Sequence, residues 1–174
     1  RNPAEAESLA SELIELSTRQ NFAFWRAAGE ILRGWARSVS GNTAEGLSWI
    51  EQGIRDYRST GIIALQYYLA LKSEALHLAD RTSEALQAIK DAEAVVQKTE
   101  ERQHLAELHR LRGVFLTRLG ADEVQIGGAF CEAIRTAKAQ KSISLTKRAE
   151  ATYAEYRHQK ASALGGRALR LPLW

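Results

Sequence analysis

A chain of 174 residues, 45% hydrophobic and 26% charged with a net charge of +3, has the composition of a soluble folded protein. At that length it forms one domain with a real core or a short repeat array. No run approaches the roughly 18 apolar residues of a membrane helix and no secretory signal leads the chain; the single Cys131 excludes an internal disulfide or a cysteine metal framework, so a cytoplasmic location is expected.

The two prolines, Pro3 and Pro172, sit near the ends, and the interior is rich in Ala, Leu, Glu, Arg and Gln, which predicts helices throughout. The first runs from Pro3 to about Gln20, with Leu9, Leu13 and Leu16 on one face and Pro3 in the first turn. The next covers Phe22 to Ser40, carries Ile31, Trp35 and Val39 on one stripe, and ends at Gly41. Its partner, capped by Thr43 or by Asn42 in a box with Glu45, extends to about Ser59, and Gly61 supplies a left-handed residue or hinge. A helix from Ile62 to Ala79 follows, then one capped by Thr82 or Ser83 that carries Leu86, Ile89 and Val96. The stretch from His104 to Leu119 is helical, and Asp122 caps a helix through Ile126, Phe130, Ile134 and Ala137. Within it, Gly127-Gly128 reads as a point of close backbone approach, and Cys131 as a small core residue rather than a reactive thiol. A last helix from Ser142 to Gln159 has weaker periodicity, and 161–174, with Gly165-Gly166 at its middle, reads as a capping helix or partly ordered tail.

These helices repeat at an interval near forty residues. Gly34-Trp35-Ala36, Ser73-Glu74-Ala75 and Gly113-Val114-Phe115 align; Gly46, Ala85 and Ile126 follow, then Ile50, Ile89 and Phe130, then Gly53, Ala92 and Ala133. A small residue, a gap near twelve, then small-xxx-large-xx-small marks a helix-turn-helix unit that stacks on its own copies. The expected fold is all-α, a right-handed α-solenoid of antiparallel helix pairs with about three full repeats. Residues 1–20 would be the second helix of a preceding repeat and 21–160 the repeat domain. The chain begins at Arg1 and contains no methionine, so it reads as a piece of a longer translation product.

The spacing of glycine, alanine and aromatic residues resembles tetratricopeptide repeats with somewhat long helices. Glu45-Gly46, Arg58-Ser59-Thr60-Gly61, Glu84-Ala85-Leu86, Ala139-Gln140-Lys141-Ser142, Lys147-Arg148-Ala149 and above all Ala106-Glu107-Leu108-His109-Arg110-Leu111-Arg112-Gly113 are similar to the C-terminal repeats of large bacterial signalling ATPases. In that group the repeats follow a nucleotide-binding module, often with a class III adenylate or guanylate cyclase domain, and some relatives carry a DNA-binding domain and resemble MalT-type regulators. The resemblance covers roughly residues 20–160. It departs after Gln159, where the leucine-rich closing helix is thin and ends in Leu171-Pro172-Leu173-Trp174. The resemblance carries no catalytic residues into this chain.

Chemistry is otherwise scarce. His104 and His109 lie five apart, on different faces of one helix, whereas zinc sites on a helix use spacings of three or four. Gly165-Gly166-Arg167 lacks the Lys-Ser/Thr ending of a phosphate loop and has no strand before it. No catalytic residue, cofactor or metal is expected.

A binding surface remains. With the first helix of each pair lining a concave face, the register places there Ile31, Trp35 and Ser38; Tyr67, Glu74 and His77; Glu107, Arg110, Val114 and Arg118; and Arg148, Glu155 and His158. Aromatic and arginine side chains there suit protein or peptide capture. Trp35 also lies on an apolar stripe that reads as core, and Arg110 also reads as an ion-pair partner of Glu107. The expected function is a non-catalytic interaction or regulatory module of a bacterial signalling protein that docks a partner or another domain of its own chain. Homo-oligomerisation is the alternative, as is the repeat region of a transcriptional regulator. Residues 135–174 carry nine Lys or Arg against Glu150 and Glu155, but with no reading helix or stacking platform nucleic acid is disfavoured as a partner, and no membrane contact is expected.

Overall fold

The computed structural model describes residues 2–61, 63–162 and 169–174, which form eight helices and no strand. These are α1 (Pro3–Arg19), α2 (Ala23–Val39), α3 (Thr43–Thr60), α4 (Leu65–Leu78), α5 (Thr82–Thr99), α6 (Leu105–Arg118), α7 (Glu123–Ala139) and α8 (Ile143–Ser162). They divide into two compact units, Arg1–Ala88 and Ile89–Trp174.

One turn design recurs at five connections. The helix runs out, a single residue takes a left-handed conformation, and the next amide reaches back to a carbonyl five residues earlier. The left-handed residues are Asn21, Gly41, Asp80, Gly120 and Lys141. The closing bonds are Phe22 to Ser17 (2.8 Å), Asn42 to Arg37 (2.9 Å), Arg81 to Leu76 (2.9 Å), Ala121 to Leu116 (3.0 Å) and Ser142 to Ala137 (3.0 Å). This is the Schellman pattern, which satisfies carbonyls a helix end otherwise leaves open. It also reverses the chain within two or three residues, which is why α1 and α2, α2 and α3, α6 and α7, and α7 and α8 pack as antiparallel hairpins.

In the first unit α2 packs on α1, α3 and α4. The close contact between α2 and α3 is made by two glycines facing each other. A Cβ on Gly34 would lie 2.5 Å from the Gly46 carbonyl oxygen and 2.9 Å from Ile50, and a Cβ on Gly46 would meet Ser38 and the Gly34 carbonyl. Ile31, Ile50 and Ala36 are fully buried around that contact, and Tyr57 lies between Phe24 and Tyr68 at centroid distances of 4.7 Å each, tilted to the first ring and edge-on to the second. In the second unit α7 packs on α6 and α8, with Phe130 as the equivalent of Ile50. A Cβ on Gly113 would lie 2.7 Å from the Phe130 ring, so the small first-helix landmark again receives the large second-helix landmark. Tyr153 and Tyr156 lie 5.3 and 5.9 Å from that ring. The small-residue landmarks Gly53, Ala92 and Ala133 are all buried.

Several local expectations are corrected. Leu9 and Leu16 of α1 are 58% and 52% exposed. The face that meets α2 is the one with small residues, Ala10 and Ser17, because Gly29 admits close approach there: a Cβ on it would lie 2.8 Å from Ile14 and 3.2 Å from the Ala10 carbonyl. The Asn42–Glu45 capping box does not form. Asn42 occupies the cap position without a side-chain bond, and Glu45 is drawn instead to Arg37, which donates to it at 2.7 and 2.9 Å and to Glu7 at 2.9 Å. Helix α5 begins at Thr82, so neither Thr82 nor Ser83 stands before it as a cap; Thr82 is buried, its hydroxyl 3.0 Å from His77 Nδ1. Gly61 is extended (φ 158°, ψ −175°) rather than left-handed, and Ala64 takes a left-handed conformation. Cys131 is exposed, because it sits one residue off the stripe defined by Phe130, Ala133 and Ala137. Asp122 does cap α7, accepting from the Gln125 amide at 2.8 Å.

Gly128 does not serve close approach either, since nothing lies within 4 Å of a Cβ placed there, and Gly127 meets only the Tyr153 hydroxyl at 3.4 Å. Gly128→Ala is therefore expected to stabilise the protein by about 1 kcal/mol, the helix-propensity difference, read as a rise in the urea midpoint at unchanged slope.

Candidate peptide-docking site

The second unit carries a polar constellation built from α6 and α8. On α6, Glu107 and Arg110 are three apart and share a face. Arg110 is 1% exposed and clamps Glu107 with both edges of its fork, Nε to Oε2 at 2.9 Å and Nη2 to Oε1 at 2.8 Å. On α8, Arg148 approaches the same carboxylate at 3.4 Å, and Thr152, buried one turn on, accepts from Arg110 at 3.4 Å while donating to the Arg148 carbonyl at 2.9 Å. Two guanidinium groups thus converge on one carboxylate, which leaves donor capacity pointing outward.

That capacity is used by residues 169–174, which form no helix. Arg110 donates to the Leu173 carbonyl at 2.5 Å and to the Pro172 carbonyl at 3.4 Å, and Arg148 donates to the Leu173 carbonyl at 3.1 Å. Further along, the Gln159 side chain reads both backbone groups of Arg170: it accepts from the amide at 2.9 Å and donates to the carbonyl at 2.7 Å. Glu155 holds Gln159 in that orientation by accepting from it at 2.7 Å. The segment alternates. Leu169 and Leu171 are partly buried and Leu173 fully so, whereas Arg170, Pro172 and Trp174 are exposed, the period of an extended strand. Pro172 suits this geometry, having no amide to leave unsatisfied and a fixed extended φ. Between the segment and α8 lies an open cleft of about 670 Å³, lined on one side by Arg148, Ala151, Glu155 and Gln159 and on the other by Arg170, Leu171, Pro172 and Trp174 of the segment.

The sequence-predicted surface residues take different places. Glu107, Arg110, Arg148 and Glu155 are brought together in this constellation. Val114 is buried, and Arg118 and His158 are exposed. In the first unit Trp35 and Glu74 are both buried and joined to each other, the indole N–H donating to Glu74 Oε2 at 2.7 Å across 39 residues, one repeat interval. Ile31 and Ser38 are buried as well, while Tyr67 and His77 are half-buried. Thr152, Gln159 and Leu173 were not among the sequence candidates. The available signal was the Leu169-x-Leu171-x-Leu173 alternation, which marks an extended segment rather than a helix. The reading of a helix around Gly165-Gly166, and of Gly165-Gly166-Arg167 as no phosphate loop, lies outside the described residues.

The opposite side of α6 faces α5. Glu93 receives Arg112 at 3.3 Å and His109 at 3.4 Å. Burial lifts the Glu93 carboxyl, but hydrogen bonding and attraction from His109 and Arg112 outweigh it and hold its pKa below the usual carboxylate value. A depressed folded pKa gives stability that is present above the unfolded value, about 4.3, and is lost as pH falls through the folded one. Glu93→Gln is expected to flatten the decline of the urea midpoint between pH 6 and about 3.5, compared with the unaltered chain.

The basic surplus of residues 135–174 is partly neutralised locally, by Lys138 with Glu150, Arg135 with Glu132, Lys160 with Glu123 and Arg148 with Glu107. Among the described residues, no three His, Cys, Asp or Glu side chains gather as metal ligands would, and no helix is long and apolar enough to cross a membrane.

No family model matches the chain. It is 25% identical over 142 residues to a curated protein of Rhizobium meliloti (strain 1021), uncharacterized protein R02095; the match covers 81% of this chain but 14% of that much longer protein. Its fold is similar to Bacillus thuringiensis PlcR, solved in complex with the peptide PapR7 and DNA, with a TM-score of 0.74 at 17% identity, covering 83% of this chain and 53% of PlcR's. That complex includes DNA, so the comparison lends no support to the expectation that nucleic acid is disfavoured. At this identity the likeness is one of architecture: the chain is all-α, built of adjacent helix pairs of the tetratricopeptide-like kind.

Proposed function

We propose that the chain is a non-catalytic helical-repeat module that docks a protein or peptide segment and thereby regulates a larger bacterial protein. The observation that carries this reading is the α6–α8 constellation, where Arg110, Arg148 and Gln159 present side-chain donors and an acceptor to the main chain of an extended segment. Main-chain bonds supply affinity and the apolar pockets between them supply selectivity, a recurrent mode of peptide capture. PlcR's solution with a bound peptide agrees with this use of the architecture. The resemblance of residues 106–113 and 139–149 to cyclase-linked and MalT-type repeats supports placing the module in a signalling ATPase or adenylate cyclase, in the cytoplasm. Its alignment with a small part of a long Rhizobium protein is consistent with such a setting. The mechanism is differential docking: a segment that binds one state of the parent better than another shifts their balance, and only such a difference can do so.

Panning a random peptide library on the protein and on its Arg148→Ala/Gln159→Ala variant tests this. Peptides bound by the first and lost by the second are expected; a library that yields none dependent on those two residues rejects the docking reading.

A second reading, self-association, is favoured by Leu9, Leu16, Phe22 and Trp25, all more than half exposed in the first unit. Sedimentation that stays monomeric at high concentration would remove it. A repeat region within a DNA-binding regulator, the third, draws on the DNA in the PlcR complex and predicts DNA contacts elsewhere in the parent.

A further inference from the structure

We infer that the α6–α8 groove is a site for an extended peptide with leucines at alternate positions, and that residues 169–174 are its occupant in cis, held so that a segment of the same chemistry can displace them. The inference rests on the docking reading and adds to it the ligand class and the regulation. Four observations lead there.

The bonds to the segment go from side chains of the helices to main-chain atoms: Leu173 and Pro172 carbonyls to Arg110, Leu173 carbonyl to Arg148, and both groups of Arg170 to Gln159. A surface that reads backbone does not depend on this one sequence, so another extended chain can make the same bonds. The donors are also prepared in advance. Glu107 fixes the Arg110 fork bidentately and Glu155 fixes Gln159, so the groove stays shaped when the segment leaves. Selectivity comes from the alternation, since Leu173 is 6% exposed and Leu171 and Leu169 are partly covered, while Arg170 and Trp174 are exposed. Finally, the contact is small. Six residues with one fully buried leucine and an adjoining open cleft of about 670 Å³ form a contact that a better-fitting segment can exceed.

An intramolecular occupant lowers the apparent affinity for any competitor by the fraction of molecules in which the groove is open. Releasing the segment therefore raises affinity without altering the groove. Two variants release it differently. Leu173→Asp puts a charge into the buried position, and Arg170→Pro removes the amide that Gln159 accepts while leaving every buried side chain in place.

The test is fluorescence anisotropy of a labelled six-residue peptide with the sequence of 169–174, titrated with the full chain, with each release variant, and with each release variant also carrying Gln159→Ala. Circular dichroism checks that helix content is unchanged. Both release variants are expected to bind the peptide at least about tenfold more tightly than the unaltered chain, and Gln159→Ala to reverse most of that gain. A peptide with Leu171 and Leu173 replaced by serine is expected not to bind. If neither release variant gains affinity, or if the serine peptide binds equally, the inference is overturned. Groove-dependent library peptides found alongside that result would leave the docking reading intact, whereas their absence would remove both.

Discussion

Arg110→Ala is expected to destabilise the protein by about 3–5 kcal/mol, the loss seen when one partner of a buried ion pair is removed. Arg110 is fully buried, and its fork meets Glu107, Thr152 and two carbonyls. Removing it leaves Glu107, itself 8% exposed, with Arg148 at 3.4 Å as its remaining ion pair among the described residues. The expensive part is the stranded carboxylate rather than the lost attraction. Hence the double replacement Glu107→Leu/Arg110→Met, which takes out both charges and keeps the volume, is expected to recover most of the loss. Urea denaturation of the two variants decides the matter. A single variant within about 1 kcal/mol of the unaltered chain would mean that solvent reaches the pair more freely than its burial implies.

Gly46→Ala is expected to cost about 1–3 kcal/mol even though alanine is the better helix former by about 1 kcal/mol. The added methyl would point at the Gly34 carbonyl and lie 2.8 Å from the Ser38 amide nitrogen. Backbone cannot turn aside as a side chain can, so α2 and α3 would have to separate. Ser38, whose hydroxyl donates to the Gly34 carbonyl at 2.9 Å, is caught in the same gap. The opposite sign expected for Gly128→Ala makes the pair a controlled comparison, one glycine at a helix crossing and one facing open space. Thermal or urea midpoints of both variants measure the contrast, and equal shifts would show that propensity alone governs these positions.

The architecture was legible because it is written in recurring small residues. Gly34, Gly46, Gly53 and Gly113 are needed wherever two helices approach closely, and a need that recurs at each hairpin leaves a period that can be read without coordinates. Helix ends were equally readable where one residue decides them, as at Asp122, Gly41 and Pro3. Legibility failed where two interactions compete for the same side chain. Glu45 is a capping-box residue by position but an Arg37 partner in fact, and Leu9 and Leu16 define an apolar stripe that loses to the better fit of Ala10 against Gly29. At the site, register put Glu107, Arg110, Arg148 and Glu155 on one face together with Val114, which is buried, and Arg118 and His158, which are exposed. What they hold could not be placed: the Leu169-x-Leu171-x-Leu173 alternation marks an extended segment, but 169–174 joins the site through carbonyl and amide groups that every residue possesses, so its docking place is not written in its side chains.

The five identical turns set where chain length can change. Each is closed by a bond between residues five apart around one left-handed residue, so a single inserted amino acid would leave that bond unmade and the following helix misaligned. Natural insertions and deletions, and engineered tags or fusion points, should therefore be rejected at those five places.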